Sequence, residues 1–136
     1  MTAQLDFDAI GTQIGTPATP LRLVLHEEDE QAPMGGALAE LAEAIAQAAP
    51  AAVVVERSGG PEPPARPALT LGSSEQASIH YLCLPEGLEA PPFVAALVGM
   101  AHQGTGQIEP WAEALSRLNR PAELFVFVSP ACPHCA

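Results

Sequence analysis

Two apolar runs separated by one amphipathic stretch constrain this chain most. Leu21-Arg22-Leu23-Val24-Leu25 is short and apolar, which suits a buried strand. Ala51 to Glu56 is a second such run, richer in β-branched residues. Between them Leu38, Leu41, Ala42 and Ile45 recur at helical spacing. Glu40 and Glu43 lie off that face, and Pro50 stops the pattern. Strand, helix and strand in this order predict a parallel pair joined by a right-handed crossover. The acidic and then Pro/Gly-containing segment from His26 to Gly36 is expected to be loop, with the helix starting at Ala37.

Beyond the turn-forming segment Ser58 to Pro64, Pro67 to Leu71 reads as a third strand. Gly72 to Gln76 is then a turn and Ile79 to Leu84 a fourth strand, which together make a hairpin. A helix is expected from Glu89, with Pro91 and Pro92 in its first turn, where proline is tolerated. Phe93, Val94, Leu97 and Val98 would form its apolar face. Residues 1–20 read as an extension holding a short helix through Leu5, Ile10 and Ile14, ended by Pro17 and Pro20. Gln103 to Gln107 is a connector. Pro110 opens another helix, with Trp111, Leu115 and Leu118 on one face and Arg117 and Arg120 near its C-terminus. Leu124-Phe125-Val126-Phe127-Val128 is expected to be a fifth strand. The fold class is α/β: β-α-β and then β-β-α on a mixed sheet.

Length and composition bound the function. A chain of 136 residues makes one domain of ordinary size, and 48% apolar content argues for a packed core. Sixteen acidic residues face five basic ones, all Arg, for a net charge of −11. That balance argues against nucleic acid or an anionic membrane as a partner. No apolar run approaches the roughly 20 residues that span a bilayer. The first basic residue is Arg22, and Asp6 and Asp8 stand where a secretory signal would be cationic. A cytoplasmic location follows as the expectation, with thiols kept reduced.

The chemistry is concentrated at Cys132-Pro133-His134-Cys135, which follows the last apolar run through Ser129-Pro130-Ala131. Two thiols separated by two residues suit disulfide exchange, in which one thiolate attacks and the other resolves the mixed disulfide. Half of a zinc site is the alternative. Zinc takes four ligands, there is no second CxxC, and Cys83 with His102 or His134 would have to converge. An inert pair is the third reading. Cys83 itself is expected to be a buried strand residue. The run His26-Glu27-Glu28-Asp29-Glu30 reads as a solvated loop rather than a metal cluster. No glycine-rich phosphate loop follows a strand, and neither metal nor dissociable cofactor is expected.

Several of these pieces stand in an order known from one family. They are Arg66-Pro67-Ala68-Leu69-Thr70-Leu71, then Ile79-His80-Tyr81-Leu82-Cys83-Leu84-Pro85-Glu86-Gly87-Leu88-Glu89, the helix through Phe93, and Ser129-Pro130-Ala131-Cys132-Pro133-His134-Cys135. In this order the chain resembles the double thioredoxin/glutaredoxin-like module at the N-terminus of the alkyl hydroperoxide reductase flavoprotein subunit. It is similar also to two-unit protein disulfide oxidoreductases. The resemblance covers roughly residues 20–136. It implies a thioredoxin-like unit over 21–103 that lacks a CxxC, and a connector with the first helix and strand of a second unit over 104–136. Residues 124–128 would then repeat 21–25. It implies Cys132 as nucleophile, Cys135 as resolver and Pro133-His134 as the spacer that tunes them, with Cys132–Cys135 as the redox-active disulfide. It implies further that Pro67 is a strand-leading proline, often cis, at a substrate groove. A peroxiredoxin disulfide and a thioredoxin-reductase-like flavoprotein are the implied partners.

Two departures stand beside the resemblance. Cys83 occupies a position where the family has a small residue. The helix that would follow the motif, and would stabilise its first thiolate, lies beyond Ala136. The expectation is therefore a chain truncated just after the CxxC, as a fragment of a longer frame, or else a redox-inactive binding or scaffold module.

Overall fold

The computed structural model describes residues 5–27, 33–74, 77–102 and 112–129. Its elements run α1 (Phe7–Ile14), β1 (Leu21–His26), α2 (Pro33–Ala48), β2 (Val53–Glu56), β3 (Ala68–Ser74), β4 (Ala77–Tyr81), a 3₁₀ turn at Gly87–Glu89, α3 (Ala90–Ala101) and α4 (Ala112–Ser116). The strands form one mixed sheet in the order β2-β1-β3-β4. β1 and β2 are parallel, Leu21 opposite Val53 and Val24 opposite Glu56. β3 runs antiparallel to both β1 and β4. The parallel pair is joined by α2, as the two apolar runs require.

Side-chain alternation along β1 divides the sheet into two faces. Leu21, Leu23 and Leu25 join Val53, Leu69 and Leu71 in the main core, together with Leu38, Leu41 and Ile45 of α2 and Phe93 and Leu97 of α3. Ile10 and Ile14 of α1 belong to the same cluster, and α1 packs on both α2 and α3. Three helices therefore cover one face. Arg22, Val24, His26, Ala68 and Thr70 point to the other.

Local chemistry explains the helix ends. Asp6 caps α1, its Oδ1 accepting from the Ala9 amide at 3.0 Å. Gly15 closes it at φ +58°. Gly11 lets α1 approach the end of α2: a Cβ there would sit 2.4 Å from the Ala48 carbonyl oxygen.

Some boundaries differ from the sequence expectations. α2 starts at Pro33 and not Ala37, so Gly35 and Gly36 are helical. Gly35 is buried near Pro67, and α2 forms across both glycines despite their low helix propensity. β3 continues past Leu71 to Ser74, and β4 begins at Ala77 and ends at Tyr81. Leu71 pairs with Ile79 but Ser74 with Ala77, so β3 carries one extra residue. Gly72, expected to start the turn, sits in that bulge at φ +153°. Leu82, Cys83 and Leu84 consequently leave the sheet, and Cys83 is exposed rather than a buried strand residue.

The C-terminal expectations differ more. The helix expected from Pro110 spans Ala112–Ser116, with Leu115 and Leu118 exposed. Trp111 and the 103–107 connector lie outside the described residues. The expected fifth strand is not formed among the described residues. Residues 124–128 are unpaired and solvent-facing, Leu124 89% and Phe127 92% exposed. An isolated run cannot satisfy its backbone as a strand without a neighbour, however high its β-propensity.

Candidate functional site

Cys132, Pro133, His134 and Cys135 lie outside the described residues. The described part of the implied site is the carboxyl end of β1, the first turn of α2 and the head of β3. Register puts His26 opposite Ala68, directly after Pro67. The Arg66–Pro67 peptide bond is cis. A Cβ added to Gly35 would lie 3.6 Å from the Pro67 Cβ, so the first turn of α2 is close to the proline ring. These three elements meet because β1 leads into α2 while β3 pairs with β1 at that same end.

His26 is the residue at this place that the sequence reading missed. The sequence pattern places it in a solvated loop, yet it closes β1 and is 5% exposed. Its Nε2 is buried and has no hydrogen-bond partner among the described residues. Burial holds its pKa below the ordinary imidazole value, and the nearby Arg66 guanidinium pushes the same way. The Glu62 carboxylate opposes them, and His80 adds a smaller downward push. The signal was present in the strand itself: the alternation Arg22, Val24, His26 continues one residue past Leu25.

Polar groups on this face and at its rim are paired, beside the apolar Val24, Val54 and Ala68. Arg22 and Glu56 form an ion pair across β1 and β2, with Arg22 Nε donating to Glu56 Oε1 at 3.1 Å. Thr70 Oγ1 and His80 Nδ1 are 2.7 Å apart across β3 and β4. Burial lowers the His80 pKa, with Glu123 acting in the opposite sense. On the helix-covered face, Tyr81 packs edge-on against Phe93 at 5.0 Å between ring centres, and burial raises its phenol pKa. Arg57 reaches both Glu27 and Glu43, and Arg66 holds Glu62.

Among the described residues no three His, Cys, Asp or Glu side chains approach one another closely enough to hold a metal ion. No helix among them is long and apolar enough to cross a membrane. Comparison with protein-family models, curated proteins and solved structures gives no match for this chain.

Proposed function

We propose that residues 21–103 are a thioredoxin-like unit without a redox pair of its own, and that the chain serves thiol–disulfide exchange at Cys132 and Cys135. The observation that supports this best is the sheet: order β2-β1-β3-β4, with β3 antiparallel to its neighbours and a proline directly before it. That is the arrangement a thioredoxin-like unit implies. Residues 124–128 repeat the apolar pattern of β1 and lead into the two thiols as β1 leads into α2.

In the proposed reaction the Cys132 thiolate attacks one sulfur of a substrate disulfide and expels the other as a thiolate. The Cys135 thiolate then attacks the Cys132 sulfur and releases the substrate's second thiolate. The substrate gains two electrons, and a Cys132–Cys135 disulfide forms. An external dithiol or a flavoprotein of thioredoxin-reductase type returns those electrons. Pro133 shapes the spacer, and His134, when protonated, favours the Cys132 thiolate. By resemblance the substrate is a protein disulfide such as that of a peroxiredoxin, in a reducing compartment such as the cytoplasm. Pro67 is the proposed substrate-groove contact of the first unit.

A second reading rests on His26. β1 ends in an imidazole followed by Glu27, not in a thiol, so the first unit is suited to docking a partner without chemistry. One assay separates the two. The full chain is added to a disulfide-linked reporter peptide with dithiothreitol as reductant. Faster reporter reduction that disappears in Cys132→Ser is the expected result. Equal rates with wild-type and Cys132→Ser protein would leave the docking reading.

A further inference from the structure

The helix-free face of the sheet carries a buried imidazole under a loosely held segment. Val24 and Thr70 are each 1% exposed and His26 is 5% exposed, although no helix among the described residues covers that face. Among the described residues, segment 57–66, between β2 and β3, lies at its Val24 and His26, while Glu123 lies near enough to His80 to act on it. Gly60 is the segment's closest point: a Cβ there would stand 3.4 Å from Val24 Cγ2. Pro63 is buried, and Glu62 and Arg66 are near enough to act on His26.

Few bonds hold this segment. Among the described residues, no backbone–backbone hydrogen bond is made by residues 57–66. Arg57 anchors one end through Glu27 and Glu43, and Arg66 binds its own neighbour Glu62. A stretch with so few backbone bonds and so little buried apolar surface belongs to the low-stability end of a domain, where local opening is easy. Beneath it His26 Nε2 is buried, with no hydrogen-bond partner among the described residues. A neutral imidazole tolerates that position as an acceptor without a donor. An imidazolium does not: its charge and its second N–H would be buried within the influence of the Arg66 guanidinium, and Glu62, the carboxylate that favours it, is already bound to that guanidinium.

We propose that His26 and residues 57–66 form a proton-operated cover on the open face of the sheet: proton uptake at His26 Nε2 displaces the segment and lets water reach the imidazolium. The charged and titratable groups facing His26 are Arg66 and Glu62 from the segment and His80 from β4. Glu27, next in sequence, is held by Arg57. Opening frees Glu62 to leave Arg66 for the new cation. The segment runs directly into Pro67, so the same event loosens the head of β3. Protonation in the folded state occurs below the ordinary imidazole value of 6.5, because the closed cover favours the neutral form. The unfolded chain binds the proton more readily. Stability is therefore complete above about 6.5 and falls as pH drops towards the folded-state value.

The test is an NMR titration of the full chain from pH 7.5 to 5, following the His26 imidazole and the Gly59 and Gly60 amides together. The expected result is one shared midpoint below 6.5 for all three. In His26→Leu the glycine signals should stay flat across the range. A glycine transition that persists in His26→Leu assigns the event to His80 or Glu62 and overturns the proposal, as does a His26 titration that leaves the glycines unmoved. If His26→Leu does not fold, Arg66→Gln carries the test. Removing the guanidinium and releasing Glu62 should raise the shared midpoint, and an unchanged or lower midpoint overturns the proposal.

Discussion

Cys135→Ser should convert a fleeting mixed disulfide into one that can be isolated. In the wild-type chain the Cys135 thiol is tethered three positions from the mixed disulfide at Cys132, and a short tether gives an effective concentration of roughly millimolar or more. In the serine variant, resolution falls to an external thiol. With that thiol at about micromolar concentration, release should slow by roughly a thousandfold. Incubation of the reduced variant with glutathione disulfide, followed by peptide mass mapping, reads this directly. Glutathione should accumulate on Cys132, while wild-type protein shows the internal disulfide instead. Equal labelling of Cys83, which is exposed, and Cys132 would mean that accessibility alone governs the reaction.

Phe93→Ala should remove a large part of the stability of the fold. Phe93 is fully buried in α3 and meets Tyr81 edge to face at an interplanar angle of 86°. It ties α3 to the hairpin strand β4, which is an edge of the sheet. Emptying a site of this size costs about 3–5 kcal/mol, from loss of burial and from the cavity left behind. Domains of this kind have only about 5–15 kcal/mol in total. Urea unfolding followed by far-UV circular dichroism measures the change. A loss below about 1 kcal/mol would mean that α3 does not close the core as described.

The two predictions depend on parts of the chain that differ in how legible they were. The parallel βαβ pair and the hairpin came from patterns internal to each segment: a five-residue apolar run, a helical stripe, a proline-led strand. Such patterns are local, and the structure forms them in the expected order. The misses came where a distant contact decided the outcome. Gly35 and Gly36 have poor helix propensity, yet both lie within α2, with Gly35 buried near Pro67, thirty-two positions away in sequence. Gly72 looked like a turn residue and instead takes up a bulge, which shifts β4 and leaves Cys83 outside the sheet.

Residues 124–128 make the same point from the other side. Their composition is that of a strand, yet strand formation needs a neighbouring backbone, and none of the described strands supplies one. His26 was hidden because its sequence neighbours are acidic, while its burial is set by β1 and by residues 57–66. The candidate exchange site was legible only as spacing. CxxC specifies which two sulfurs can meet, and the thiolate's stability depends on the structure around them.

That dependence makes thiol reactivity the most direct test of the exchange reading. The rate of iodoacetamide alkylation at Cys83, Cys132 and Cys135 should be measured separately across pH in the reduced full chain, by quenched peptide mass mapping. The reading predicts that Cys132 reacts with a midpoint well below the ordinary thiol value of about 8.5, while Cys135 stays at or above it. Three cysteines sharing one ordinary profile would contradict it, and would leave a chain whose first unit docks partners without exchanging electrons.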